Sequence, residues 1–171
     1  MTMEHDLGIQ LSRLRNTGFD TKLKAQADAK GFASSYFFAI ASRETNCVNE
    51  LGDFQNGEAH GVGIIQIDVQ HDIARAARDS GSWRTDPDPL IDFGAQLLAD
   101  NIAAATRAFP DLGGDDHLKI AASGYNCGIE SAIAAARDGD SDANTTGHNY
   151  GQDVMARKAI LERLITPQDG L

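Results

Sequence analysis

Apolar residues recur along much of this chain at intervals of three and four, the spacing that collects them on one face of an α-helix. Leu7, Leu11 and Leu14 do so within residues 4–15, and Asn16, Thr17 and Gly18 then supply a stop. Asp20 predicts an N-cap for a second helix reaching about Lys30, and Ser34 or Ser35 predicts one for a third that runs through SYFFAIASRETN. The first half of this third helix, Phe37 to Ala41, is apolar on most faces, which marks a helix at the centre of a core. It then ends abruptly in charge, at Arg43 and Glu44.

The pattern breaks after Cys47. Gly52, Gly57, Gly61 and Gly63, interspersed with polar residues, predict an irregular loop or a short hairpin that is too long to be a mere connection. Long ordered loops usually carry function. IIQID reads as a short extended piece, HDIARAARDSG as a helix, and Trp83 to Pro89 as a turn-rich connector. Helical spacing resumes with Leu90, Phe93, Leu97, Ile102 and Ala105, and stops at Pro110. Two further helices are expected on either side of Cys127 and Gly128, and QDVMARKAILERLI closes the chain as an amphipathic helix. About eight helices around one buried central helix, with a polar loop beside that helix's C-terminal end, are predicted.

Composition agrees with this picture. Aromatics make up 6% of the 171 residues and only four prolines occur, while alanine is abundant, so the expected fold class is all-α, mainly helical, with room for a small β-hairpin. No repeat or linker interrupts the chain, and 42% hydrophobic residues suits one domain over residues 1–171, with 1–19 as an N-terminal helical extension. A net charge of -10 with no clustered basic surface excludes nucleic acid as a natural partner. Acidity also runs against steering toward any other anionic polymer. No apolar stretch reaches the roughly 18 residues that a membrane span requires, and MTMEHDLGIQ lacks the basic-then-apolar order of a secretion signal. A monomer that neither binds a membrane nor carries an export signal is expected.

The residue with the clearest chemical promise is Glu44. A carboxyl at the end of an apolar helix loses hydration, which raises its proton affinity toward what a general acid needs near neutral pH. Glutamates at helix ends are common and mostly solvated, so the context decides. Four segments supply it: SRET at 42–45, GVGIIQID at 61–68, SGYNCG at 123–128 and TTGHNYGQDVMAR at 145–157. In order and spacing they resemble goose-type lysozymes and their relatives the lytic transglycosylases, together glycoside hydrolase family 23. Members carry Ser-Arg-Glu-Ser, Gly-x-Gly-Leu-Met-Gln-Val-Asp, Ala-Tyr-Asn-Ala-Gly, and a Thr-Thr segment leading through a tyrosine into a Val-x-Ala-Arg helix. The resemblance spans about residues 20–165, and Glu44 to Asp68 matches without a gap.

The resemblance implies a lysozyme-like fold with a substrate cleft and no metal or other cofactor, acting on peptidoglycan or chitooligosaccharides. It makes Glu44 the proton donor to the glycosidic oxygen and Asp68 an acid that positions water; Asp68 would serve equally as a cap or loop hydrogen bonder near His71. Inverting hydrolysis calls for a second carboxylate roughly 6.5 to 9.5 Å from the first. Goose-type members have a further loop aspartate where this chain has Gly57, so Glu58 is the favoured substitute, ahead of Asp53. Gly61 and Gly63 are positions where bulk must be absent, for a tight turn or for a sugar lying close to the main chain. Gln66, Tyr125, Asn126 and Tyr150 resemble the family's cleft residues, and each could instead be structural.

Cys47 and Cys127 both fall near the implied site, where they would form a disulfide or stand as two separate thiols. Scattered histidines recommend neither a Cys-His hydrolase nor a zinc site. The implied reaction is hydrolysis of the β-1,4 bond between N-acetylmuramic acid and N-acetylglucosamine, outside the cytoplasm, in the extracellular space or periplasm. Two alternatives remain: a lytic transglycosylase forming 1,6-anhydromuropeptides, which needs no acid at position 68, and a non-catalytic glycan-binding protein on the same fold.

Overall fold

A computed structural model of the chain describes residues 2–166. Among the described residues the helices are α1 (Met3–Thr17), α2 (Phe19–Lys30), α3 (Ser34–Thr45), α4 (Asp72–Ser80), α5 (Ser82–Thr85), α6 (Asp88–Ala108), α7 (Gly114–Cys127), α8 (Ile129–Arg137) and α9 (Tyr150–Ile165). The strands are β1 (Leu51–Gln55), β2 (Glu58–Val62) and β3 (Ile67–Asp68). The mainly helical class with a small hairpin is therefore the fold. No helix among the described residues is long and apolar enough to cross a membrane. The chain divides into two compact units, Met1–Ala95 and Gln96–Leu171.

In the first unit α1 buries Leu7, Leu11 and Leu14, the stripe its periodicity predicts. Gly18, at φ 75°, both closes α1 and opens α2, so α2 begins before Asp20, which lies in its first turn and is not its N-cap. Similarly α3 is preceded by Ala33, and Ser34 is already helical. Nine of the 12 residues of α3 are buried, with Tyr36, Phe37 and Ile40 fully inaccessible, so it is the buried central helix of this unit. Phe32 packs edge-on against Tyr36 and Phe37, at centroid separations of 5.9 and 5.7 Å. The expected connector at 83–89 is more regular than its turn residues suggest: it holds α5, and α6 already starts at Asp88. Pro89 is tolerated there because the first turn of a helix has no carbonyl to bond its missing N–H.

The glycine-rich stretch forms an antiparallel sheet in the order β1-β2-β3. Its register pairs Leu51 with Val62 and Val62 with Ile67 in one row, and Gly52 with Gly61 and Gly61 with Asp68 in the next. Neighbouring rows face opposite sides of a sheet. The apolar row buries Val62 and Ile67, and Gly94 of α6 closes against Ile65 and Ile67. The row Gly52–Gly61–Asp68 belongs to the other face.

In the second unit, Ala105 of α6, Ile120 of α7 and Ala132 and Ile133 of α8 form a buried cluster, flanked by Phe109, Ile129 and other partly buried apolar groups. The break between α7 and α8 falls at Gly128, as the sequence suggests. His117 is buried, with Nε2 2.8 Å from the Phe109 carbonyl oxygen, so it secures the turn after α6.

Candidate active site

Glu44 lies in the last turn of α3, half-buried, where the apolar helix meets the surface. Two successive left-handed residues, Asn46 (φ 52°) and Cys47 (φ 61°), then reverse the chain. Such a conformation disfavours a residue other than glycine, and asparagine less than cysteine, so the surrounding structure must hold it. The Cys47 N–H donates back to the Ala41 carbonyl at 3.1 Å, and that of Asn46 to Ser42 at 3.1 Å. The Thr45 hydroxyl lies 3.1 Å from the Ala41 carbonyl and 2.9 Å from that of Ile64, and it accepts from the Val48 N–H at 3.2 Å. The residue next to Glu44 thus ties the end of α3 to the turn that carries Gln66.

That turn explains the two glycines. Gly63 adopts φ 83°, a tight-turn conformation, and its N–H donates to the Glu50 carbonyl at 2.9 Å. Gly61 is different. A Cβ there would lie 2.1 Å from Gln66 Oε1, and one on its cross-strand partner Gly52 would lie 2.2 Å from the same atom. The Gln66 amide therefore lies across the bare Gly52–Gly61 pair, so the space at Gly61 is filled from within the protein. The Gln66 Nε2 group donates to the carbonyls of Glu50 (3.1 Å) and Gly63 (2.8 Å), and Gln66 itself has φ 49°. One amide staples the base of the hairpin to the turn.

Asp68 is exposed, in the same row as Gly61. Its Oδ1 accepts from the Gln70 N–H at 2.6 Å, an Asx-type turn that leads into α4, whose N-cap is His71. Glu58 opens β2 with its side chain 76% exposed, 4.0 Å from Arg78 of α4. Arg78 also donates to the Ala59 carbonyl at 3.0 Å, so it anchors the strand beside Glu58. Asp53 is exposed at φ 47° and accepts from Gln55 at 3.2 Å. Glu44, Gln66, Asp68 and Glu58 all lie in the first unit.

The remaining candidates lie in the second unit. Tyr125 is half-buried and Asn126 exposed, both in the last turn of α7. Asn126 Oδ1 accepts from the Thr146 N–H at 2.8 Å, which ties the long segment before α9 to the end of α7. Tyr150 starts α9 and is buried, and its N–H donates to the Thr145 hydroxyl at 3.3 Å. Cys47 is buried and Cys127 half-buried. Burial, first, and the nearby Asp142 carboxylate push the Cys127 thiol above its ordinary range, against an opposing hydrogen bond from Ser131. It is held in its protonated, unreactive form.

Sequence reasoning missed Asp142. This carboxylate is buried, and its Oδ1 accepts from the Ser123 hydroxyl (2.9 Å) and the Gly151 N–H (2.7 Å) while Oδ2 accepts from the Gln152 N–H (2.9 Å). It joins α7 to the start of α9, where a negative charge also complements the helix dipole. Nothing periodic marks it, since it lies in a run of turn residues. Gln10 was missed as well, although a polar residue on the Leu7–Leu14 stripe was a visible signal.

The lysozyme g family model matches residues 11–163. Among similar proteins, the lysozyme g of Takifugu rubripes is 32% identical over 119 residues, 69% of this chain and 60% of the relative. That of Gallus gallus is 26% identical over 135 residues, 79% of this chain and 59% of the relative. That of Epinephelus coioides is 27% identical over 146 residues, 81% and 72%. The chain thus spans about three-fifths of the length of the first two relatives. With all four sequence segments inside the matched region, the chain belongs to the lysozyme g family.

Proposed function

We propose that this chain is a muramidase that hydrolyses the β-1,4 bond between N-acetylmuramic acid and N-acetylglucosamine in peptidoglycan, with Glu44 as general acid. The observation that carries the reading is the setting of Glu44: a half-buried carboxyl on the last turn of a core helix, beside a threonine bonded to the Gln66 turn. A partly desolvated carboxyl on a rigid element can hold a proton near neutral pH and deliver it to a leaving oxygen. Protonation weakens the glycosidic bond as an oxocarbenium-like centre develops, and water attacks from the opposite face.

Asp68 is the favoured group to position that water. Its Oδ1 is engaged by Gln70, and Oδ2 is the oxygen that would accept from the nucleophile. Glu58 is the second candidate, on the exposed hairpin and beside Arg78. Asn126, whose Oδ1 is used within the protein, would offer its amide N–H groups to an N-acetyl carbonyl, with Tyr125 beside it; buried Tyr150 would act by supporting α9. The chemistry requires no cofactor. Wall glycan lies outside the cytoplasm, so the enzyme would work in the extracellular space or periplasm.

Digestion of purified peptidoglycan, with mass spectrometry of the released muropeptides, tests this. Wild type should release products with reducing ends, Glu44→Gln should lose activity by about 100-fold or more, and Asp68→Asn or Glu58→Gln should lose about tenfold or more, according to which one positions water. Anhydro products would convert the reading to a lytic transglycosylase. Binding of purified peptidoglycan without release of any product would make it a glycan-binding protein.

A further inference from the structure

Gln10 is the one polar residue on the buried stripe of α1, at 8% exposure between Leu7 and Leu14. Its Oε1 accepts from the Ser42 hydroxyl at 2.6 Å and lies 3.9 Å from the Cys47 thiol, while its Nε2 donates to Asn46 Oδ1 at 3.3 Å. One turn later Arg13 donates to the Asn46 main-chain carbonyl. All three partners of the Gln10 amide bracket Glu44: Ser42 two residues before it, Asn46 and Cys47 two and three after. Asn46 and Cys47 are also the left-handed pair that ends α3. An unsupported αL cysteine would relax toward ordinary backbone and turn the last helical residues with it.

We propose that Gln10 is a positioning residue for Glu44, and that α1 acts as a clamp on the acid-bearing end of α3, not as an appendage to the catalytic fold. The inference rests on the reading of Glu44 as general acid. The family match begins at Leu11, within α1. Apolar packing by Leu7, Leu11 and Leu14 would be enough to dock α1. A buried amide adds direction, because it is satisfied in only one register and orientation of the two helices.

The test compares Gln10→Met, which keeps size and helix propensity but removes both hydrogen-bonding functions, with Leu14→Ala, which loosens the same helix through a cavity. Steady-state hydrolysis of chitohexaose is measured well below both melting temperatures, alongside wild type and Glu44→Gln, and amide hydrogen exchange is followed at Asn46 and Cys47. Gln10→Met is expected to lower kcat about fivefold to tenfold with KM within about twofold, because small displacements of a catalytic group cost rate and not binding. It should also speed exchange at Asn46 and Cys47. Leu14→Ala should lower the melting temperature at least as much and leave kcat within about twofold. Unchanged exchange at Asn46 and Cys47 in Gln10→Met, or an equal loss of kcat in Leu14→Ala, overturns the clamp. A wild type that cleaves neither chitohexaose nor peptidoglycan overturns the muramidase reading instead, and exchange still decides the clamp.

Discussion

The two units of this protein each hold an irregular stretch of chain, and they do it with different chemistry. In the first unit residues 46–66 are secured by several separate side chains, three of them neutral amides: Gln10 on Asn46, Asn49 donating to the Trp83 carbonyl at 2.9 Å, and Gln66 across the hairpin base, with Arg13 and Arg78 on two main-chain carbonyls. In the second unit the segment before α9 is gathered around one buried carboxylate, Asp142, with Ser123, Thr145 and two backbone N–H groups around it, and the Asn126 amide adds a single bond to Thr146. Amides hold locally and independently, each bond worth about 1 kcal/mol net. A carboxylate gathers several donors at once, which makes its charge-assisted bonds stronger and its loss more costly.

The sharpest way to break the contrast is Asp142→Ala. It leaves the Gly151 and Gln152 N–H groups without their acceptor and takes away one of the three acceptors around the Ser123 hydroxyl, and is expected to destabilise the protein by about 3 kcal/mol or more in urea unfolding. Gln66→Ala, which removes two amide bonds at a partly exposed site, should cost about 1 to 2 kcal/mol. A next, smaller effect concerns the cradle. Gly61→Ala forces the Gln66 amide off the sheet and should cost about 1 kcal/mol by the same measurement, a cost that should largely vanish in a background where Gln66 has already been shortened to serine. The smallest effect sharpens the electrostatic side. Because the thiol of Cys127 is held above its ordinary range, its thiolate fraction at neutral pH is low and iodoacetamide should react slowly, faster as pH rises. Asp142→Asn removes one of the causes, so the thiol should titrate lower and react about twofold faster at the same pH.

Much of the first unit was legible. The apolar run into Glu44 could only be a core helix that ends at the surface, and the four glycines after Cys47 could only mark a turn-rich element, which the structure resolves as the hairpin and its turn. The family resemblance was readable because its motifs are local in sequence. What escaped notice depends on pairing across distance. Periodicity reports which face of a helix is buried, not which partner meets it, so Gln10 looked like an interruption of a stripe when it is that stripe's directional contact with α3. Asp142 escaped for the opposite reason: turn-forming residues surround it, and composition alone makes such an aspartate look solvated. The connector at 83–89 was judged by its prolines, although Pro89 is compatible with the first turn of α6.

The bare Gly52–Gly61 pair also constrains how this protein can change over time. Two glycines and one glutamine occupy a single volume, so no one of them can be enlarged alone. A side chain added at position 61 displaces the Gln66 amide unless position 66 has shortened first, and a Gln66 lost first leaves an unfilled hollow over the sheet. The three positions should therefore vary together or stay together among homologues, as one inherited character spread over 15 residues of chain.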